Sequence, residues 1–146
     1  MAEAYIDTGL FIALVFDDDN NHIRAQELFF SELIKRSKYR RLYTSEAVLI
    51  EIASFIHSPG RRLRKQDAFR KVKQIMNIVA YKPYRVEVLY LDATSLNDAI
   101  DLYNKYEGNK DFVDVINVSL MRQNSIASIA SFDSDYDEFE DIVRIF

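Results

Sequence analysis

The sequence predicts an α/β fold, a mostly parallel sheet of about five strands covered by helices on both faces. Three observations carry this. Short apolar runs alternate with longer stretches whose apolar residues recur at helical spacing. Two of the runs, Ala4-Tyr5-Ile6 and the segment within 125–131, read as buried strands. Gly and Pro number only 3 and 2, which leaves little room for linkers.

The elements follow in order. Residues 3–7 form a first strand that ends on Asp7, and a short helix over 8–16 starts at the Thr8-Gly9 turn. Asp17 to Asn21 is polar punctuation, with Asn20 or Asn21 placed to cap a helix over 22–35. Ile23, Leu28, Phe29, Leu33 and Ile34 form its apolar side. Leu42-Tyr43-Thr44 is a second strand, and Ser45 caps a helix from Glu46 to about His57 whose interior is apolar nearly all round, as a buried helix would be. Ser58-Pro59-Gly60 ends it. Residues 61–79 begin basic and become a helix with Leu63, Phe69, Val72, Ile75, Met76 and Val79 inward. A third strand is expected over 86–91, helices over 92–106 and 111–122, a fourth strand within 125–131 and a last one over 142–146.

A length of 146 residues fits one domain, 1–146, with a sizeable core. There is no Cys, hence no disulfide framework and no thiolate metal site. The only histidines, His22 and His57, lack zinc-ligand spacing. No basic and apolar leader opens the sequence, and no apolar run approaches the roughly 20 residues of a membrane helix. A soluble, cytoplasmic protein without a membrane partner is expected. The net charge of −4 conceals an asymmetry: residues 35–73 hold 12 of the 19 Lys and Arg but only three acids, Glu46, Glu51 and Asp67. A basic band of this kind, beside an acidic centre, suits a polyanion held over a metal. Two solvated helix faces would produce the same pattern.

Four acids stand out by position. Asp7 ends the first strand, and ligands of open α/β sheets bind outside the carboxyl ends of strands. Glu51 is the one charge inside an apolar helix, where an ionised carboxylate needs a partner, either a cation or one of the arginines. Asp114 lies one turn into the helix that opens at Asp111, and Asp133 follows the fourth strand. Each has a plain structural explanation: a turn residue for Asp7, an N-cap and a first-turn acid for Asp111 and Asp114, a helix cap for Asp133. Together they form a set of hard oxygen ligands suited to Mg²⁺ or Mn²⁺, able to support an in-line phosphoryl displacement. Thr8 and Ser131 are placed to orient ligand carboxylates, and Asn117, one turn after Asp114, to reach a metal water or a phosphate.

In this order the residues resemble a known family. Ile6-Asp7-Thr8, the lone Glu51 after Thr44-Ser45, Asp111-Phe112-Val113-Asp114-Val115-Ile116 and Ala130-Ser131-Phe132-Asp133-Ser134-Asp135-Tyr136 are similar to the PIN (PilT N-terminus) domain, which includes the VapC-like toxin ribonucleases. The resemblance spans essentially the whole chain. It implies an α/β/α sandwich, a Mg²⁺- or Mn²⁺-dependent endoribonuclease cutting single-stranded RNA, a homodimer, and an antitoxin partner. It carries the metal-site acids onto Asp7, Glu51, Asp114 and Asp133, with Asp111 and Asp135 as accessories. Gly9 and Ser131 stand where the family more often has Ser or Asn, and Thr.

On this reading Arg40, Arg41, Arg61, Arg62, Arg64 and Lys65 hold the RNA backbone, and Tyr39, Tyr43 and Phe69 supply stacking surfaces. A phosphatase using Asp7 as nucleophile would want a second Asp two residues on, and that residue is Gly9. Gly9 thus favours metal binding over nucleophilic attack as the role of Asp7. A PIN-like RNA-processing nuclease outside a toxin pair, or a non-catalytic module binding RNA or protein, are the other readings. The intact acidic set speaks against the last.

Overall fold

The computed structural model describes residues 2–35, 38–84 and 86–146. Its centre is a five-stranded sheet in the order β3-β2-β1-β4-β5, with every adjacent pair parallel. The strands are β1 (Ala2–Ile6), β2 (Tyr39–Ser45), β3 (Val86–Leu89), β4 (Ser128–Ala130) and β5 (Val143–Ile145). Parallel strands need crossovers, and helices provide them: α1 (Thr8–Val15), α2 (His22–Gln26), α3 (Glu46–Ile56), α4 (Lys65–Ala80), α5 (Ala93–Lys105) and α6 (Phe112–Gln123). The predicted sheet, with its helical layers, is the observed one.

Ala4, Tyr5 and Ile6 are inaccessible to solvent, as the middle strand of a doubly covered sheet requires. The core continues through Leu10, Phe11, Leu28, Phe29, Val48, Ile52, Ile56 and Ile75. Both strands β1 and β4 stop at the same edge, where Asp7 N–H still donates to Ala130 O at 3.1 Å. Asp7 and Asp133 are therefore delivered to one place, although 126 positions separate them.

Four expectations change. The helix over 22–35 is α-helical only to Gln26 and continues as a π-helix over Glu27–Lys35. That wider winding brings Leu28 and Leu33, five apart, to the core, and leaves Ile23 80% exposed instead of inward. Helix α3 is not buried all round. Val48, Ile52 and Ile56, four apart, face the core, while Ile50 and Phe55 are 64% and 43% exposed. Arg61 closes a short 3₁₀ turn (Pro59–Arg61), and α4 starts only at Lys65. The core stripe of α4 is Ala68, Ile75 and Val79, so Leu63 and Phe69 lie outside it. Arg36 of the basic stretch lies outside the described residues.

Candidate active site

The site forms at the carboxyl ends of β1 and β4. Asp7 is the N-cap of α1, its Oδ1 accepting from Thr8 N–H at 2.8 Å. Capping accounts for one contact only. Oδ1 also accepts from Asn117 Nδ2 at 3.2 Å, and Oδ2 accepts from the Ser131 hydroxyl at 2.7 Å. Ser131 Oγ in turn accepts from Asp133 N–H at 3.1 Å, so one serine ties the two strand-end aspartates together. Ser131 thus bonds both the Asp7 carboxylate and the backbone of Asp133.

Asn117 is in a different position from the one expected. It is wholly buried and cannot meet a phosphate. Its Oδ1 accepts from Tyr5 OH at 2.7 Å, and its Nδ2 donates to Asp7 and, at 2.9 Å, to Tyr136 OH. The amide is thereby fully used. Tyr136 OH lies 3.1 Å from Asp114 Oδ1 and 3.4 Å from Asp7 Oδ1. A phenol has one proton, and the shorter contact takes it.

Burial and crowding set the charges here. Asp7 is pushed up to about 6, chiefly by burial, with the charges of Glu51 and Asp133 adding and the bonds from Ser131 and Thr8 opposing. Asp114 rises to about 7, again chiefly through burial and then through Asp7, while the bond from Tyr136 opposes. Burial first, then the charges of Asp7 and Asp114, hold the Tyr136 phenol well above its ordinary range. Tyr136 therefore stays a donor.

Asp114, Asp133 and Asp135 each offer a carboxylate oxygen, and these oxygens lie within 4.8 Å of one another. Asp135, expected as an accessory, is a full member. It lies in the 3₁₀ turn over Ser134–Glu138, which Asp133 caps, its Oδ1 accepting from Asp135 N–H at 2.9 Å. Thr8 Oγ1 is buried beside Asp7 with no hydrogen-bond partner, a polar vacancy that the hydration shell of a cation would satisfy. Carboxylates that repel one another and hold protons too high, next to an orphaned hydroxyl, fit a hard divalent cation. Asp111 is exposed at the N-cap of α6 without a side-chain cap bond, and its charge adds to the shift of Asp114.

Glu51 is half-buried and not sealed in an apolar helix. Among the described residues it forms no ion pair with an arginine. Its charge reaches both Asp7 and Tyr5. On its outer side it lines a cavity of about 540 Å³ with Ile50, Leu91, Val113 and Ile116.

The structure divides the basic residues. Arg61 stacks over Phe16 at 4.1 Å and Phe55 at 5.3 Å, and Phe55 lines a small cavity with Thr8, Gly9 and Phe132. Arg62, Arg64 and Lys65 are exposed nearby in sequence. Arg40 and Arg41 stand instead at the start of β2, where Arg41 pairs in register with Glu3. In a parallel sheet that is the end opposite Asp7, and the two are engaged by Glu3 at 3.0 Å and Glu87 at 3.6 Å. Tyr43 is buried in β2 and offers no stacking face.

Three residues to which the sequence assigns no site role complete the site. Tyr5 and Tyr136 carry hydroxyls into the core, where each must find a partner. A tyrosine in the middle of a buried strand was the available signal for Tyr5. Lys110 is 2% exposed, with its ammonium 2.9 Å from Glu138 and 3.7 Å from Asp135 and donating to Asp135 O at 3.1 Å. It anchors the turn that carries Asp135. Nothing in Asn109-Lys110-Asp111 marks that lysine as buried.

Comparison with known proteins bears on the fold. Toxin VapC20 of Mycobacterium tuberculosis, which cleaves the sarcin–ricin loop, superposes with a TM-score of 0.77 at 24% identity, covering 97% of this chain and 98% of that one. VapBC2 of Rickettsia felis, solved bound to a promoter DNA fragment, gives 0.65 at 12% identity over 98% and 97%. A toxin–antitoxin complex from Klebsiella pneumoniae gives 0.62 at 10% over 96% and 95%. At these identities the likeness establishes the fold. No curated protein sequence matches. The PIN domain family model matches residues 4–142, a span that takes in every acid of the cluster, and the chain belongs to the PIN domain family.

Proposed function

We propose that the chain, acting as one domain over 1–146, is a Mg²⁺- or Mn²⁺-dependent endoribonuclease of single-stranded RNA and the toxin of a toxin–antitoxin pair. One observation carries the reading: three carboxylate oxygens within 4.8 Å of one another at the strand ends, beside a buried Asp7. Asp114, Asp133 and Asp135 would hold the cation, with Asp7 and Glu51 completing its negative surroundings. A bound divalent cation supplies the charge that activates water and stabilises the leaving oxygen in phosphodiester hydrolysis.

The protein supplies the orientation. Ser131 and Asn117 hold Asp7 from two sides, and Tyr136 fixes Asp114 Oδ1, which leaves Asp114 Oδ2 as the atom that carries a proton when no cation is present. Arg61, with Arg62, Arg64 and Lys65, would bind the RNA backbone at the rim. The apolar cavity beside Glu51 suits a hydrophobic segment of an antitoxin reaching toward the carboxylates, and the relatives solved as complexes support such a partner. Exposed Ile100, Tyr103 and Phe112 offer an apolar face for a second copy, as in a homodimer. Among the described residues no helix is long and apolar enough to cross a membrane, which accords with a cytoplasmic site of action.

The test is direct. Purified protein should cut labelled single-stranded RNA only when Mg²⁺ or Mn²⁺ is added, and Asp7→Asn should stop cleavage while leaving the circular dichroism spectrum unchanged. Cleavage that survives both EDTA and Asp7→Asn overturns the mechanism. A short neighbouring gene for a DNA-binding protein separates a toxin from an RNA-processing nuclease.

A further inference from the structure

Arg40 and Arg41 are not idle at the far end of the sheet. The register between β1 and β2 slips between Ala2 and Glu3, with Arg40 as the extra residue on β2. A bulge re-aims side chains, so two consecutive arginines here line one groove, where a regular strand would send them to opposite faces. The groove encloses about 810 Å³ at the edge strand β3, with Lys82 and Tyr81 on its rim and Met76, Val79 and Val86 on its floor. The ion pairs join half-exposed arginines to a half-exposed Glu87 and a more buried Glu3, and pairs open to water on the arginine side yield to a stronger anion.

Helix α4 connects this groove with the carboxylate end. Lys65, Phe69, Lys73 and Asn77 recur every four residues, one ridge of the helix, and Tyr81 follows directly after its last residue. Phe69 and Tyr81 are 59% and 53% exposed, and Lys73 lies over the Phe69 ring at 6.0 Å. The ridge starts next to Arg61–Arg64 and ends in the groove, roughly 24 Å away for a helix of this length. Cations alternating with exposed rings are what a nucleic-acid strand needs along its path.

We infer that the α4 ridge and the Arg40–Arg41–Lys82 groove form a second RNA-binding surface, which grips the strand flanking the scissile bond. The inference rests on the nuclease reading and narrows its substrate: an RNA long enough to run from the carboxylates around the β3 edge. A short oligonucleotide fills only the carboxylate end.

The test uses the full chain and two labelled RNAs, a short single strand and a stem-loop several times longer, with binding measured in EDTA so that nothing is cut. In the Arg40→Gln/Arg41→Gln/Lys82→Gln variant, affinity for the long RNA should fall by about tenfold or more, and its salt dependence should flatten by about two phosphates. Affinity for the short RNA, which does not reach the groove, should fall several times less. Lys73→Gln, on the ridge, should lower long-RNA affinity in the same sense but less. Unchanged long-RNA affinity in both variants overturns the inference, and so does an equal loss for both RNAs. If wild-type protein cuts neither RNA and the variants still lose the long one, the groove stands and the nuclease reading falls.

Discussion

The two ends of one parallel sheet treat charge in opposite ways. At the amino ends of the strands, Arg40 and Arg41 each meet a carboxylate, in water, at little energetic cost or gain. At the carboxyl ends, Asp7 and Asp114 lie where burial weakens solvation, the exposed Asp133 adds its charge, and among the described residues no ion pair engages Asp7 or Asp114. The one buried lysine nearby, Lys110, is engaged by Glu138 and by Asp135 from behind. The difference shows where the fold spends stability. A protein optimised only for folding would not bury unpaired like charges, and the carboxylate end, unlike the arginine end, gathers oxygens close enough to hold a cation.

The largest expected effect removes that asymmetry at its centre. Asp7→Asn should reduce RNA cleavage to background in a fluorescence assay. Retained activity would mean that Asp7 is only a helix cap. Next, Tyr136→Phe deletes the donor to Asp114 and leaves one N–H of Asn117 without an acceptor, while the other still reaches Asp7. Metal affinity, read by Mn²⁺ titration, should weaken by about 10–100-fold. Equal Mn²⁺ affinity in the variant would show that the network serves packing alone.

The third test is pH. Asp7 and Asp114, raised from 3.8 to about 6 and about 7, bind protons more tightly folded than unfolded. The stability they confer is complete below pH 4 and is lost as pH rises through 6 and 7. Metal-free protein should therefore lose on the order of 2 kcal/mol between pH 5 and 7 in urea titrations, and saturating Mg²⁺ should abolish or reverse the slope. Asp137 and Asp141 are held low by Arg144 and Arg122, so they act with the opposite sign, but only at more acid pH. A metal-free stability that rises from pH 5 to 7 would contradict the carboxylate geometry. The smallest effect lies at the other end: Glu87→Gln should change stability by less than about 1 kcal/mol, because its pair with Arg41 is exposed. A larger loss would mean that the arginine end, too, holds charge under constraint.

The sheet was legible because each buried strand carries its own signal, an apolar run closed by a polar residue. The strand-end position of Asp7 and Asp133 followed from the same pattern. What could not be read was orientation. Asn117 sits one turn from Asp114, so spacing placed both on one helix face; only the arrival of Tyr5 and Tyr136 from distant strands and turns shows that the amide points into the core. The basic band looked continuous in sequence because Arg40 and Arg61 are 21 positions apart, yet β2 and α3 lie between them and carry Arg40 to the opposite end. Glu51 looked sealed because its neighbours are apolar, but α3 leaves one apolar side uncovered. Lys110 gave no local signal, since its partners come from the turn over 134–138.

The bond from Ser131 to Asp7 spans 124 positions, and the fourth strand that presents Ser131 pairs directly with the first. During synthesis β1 must wait beside an empty place until β4 has emerged. The carboxylates cannot assemble in a nascent or truncated polypeptide, and long-range pairings of this kind close slowly. A site built this way exists only once β4 has closed against β1.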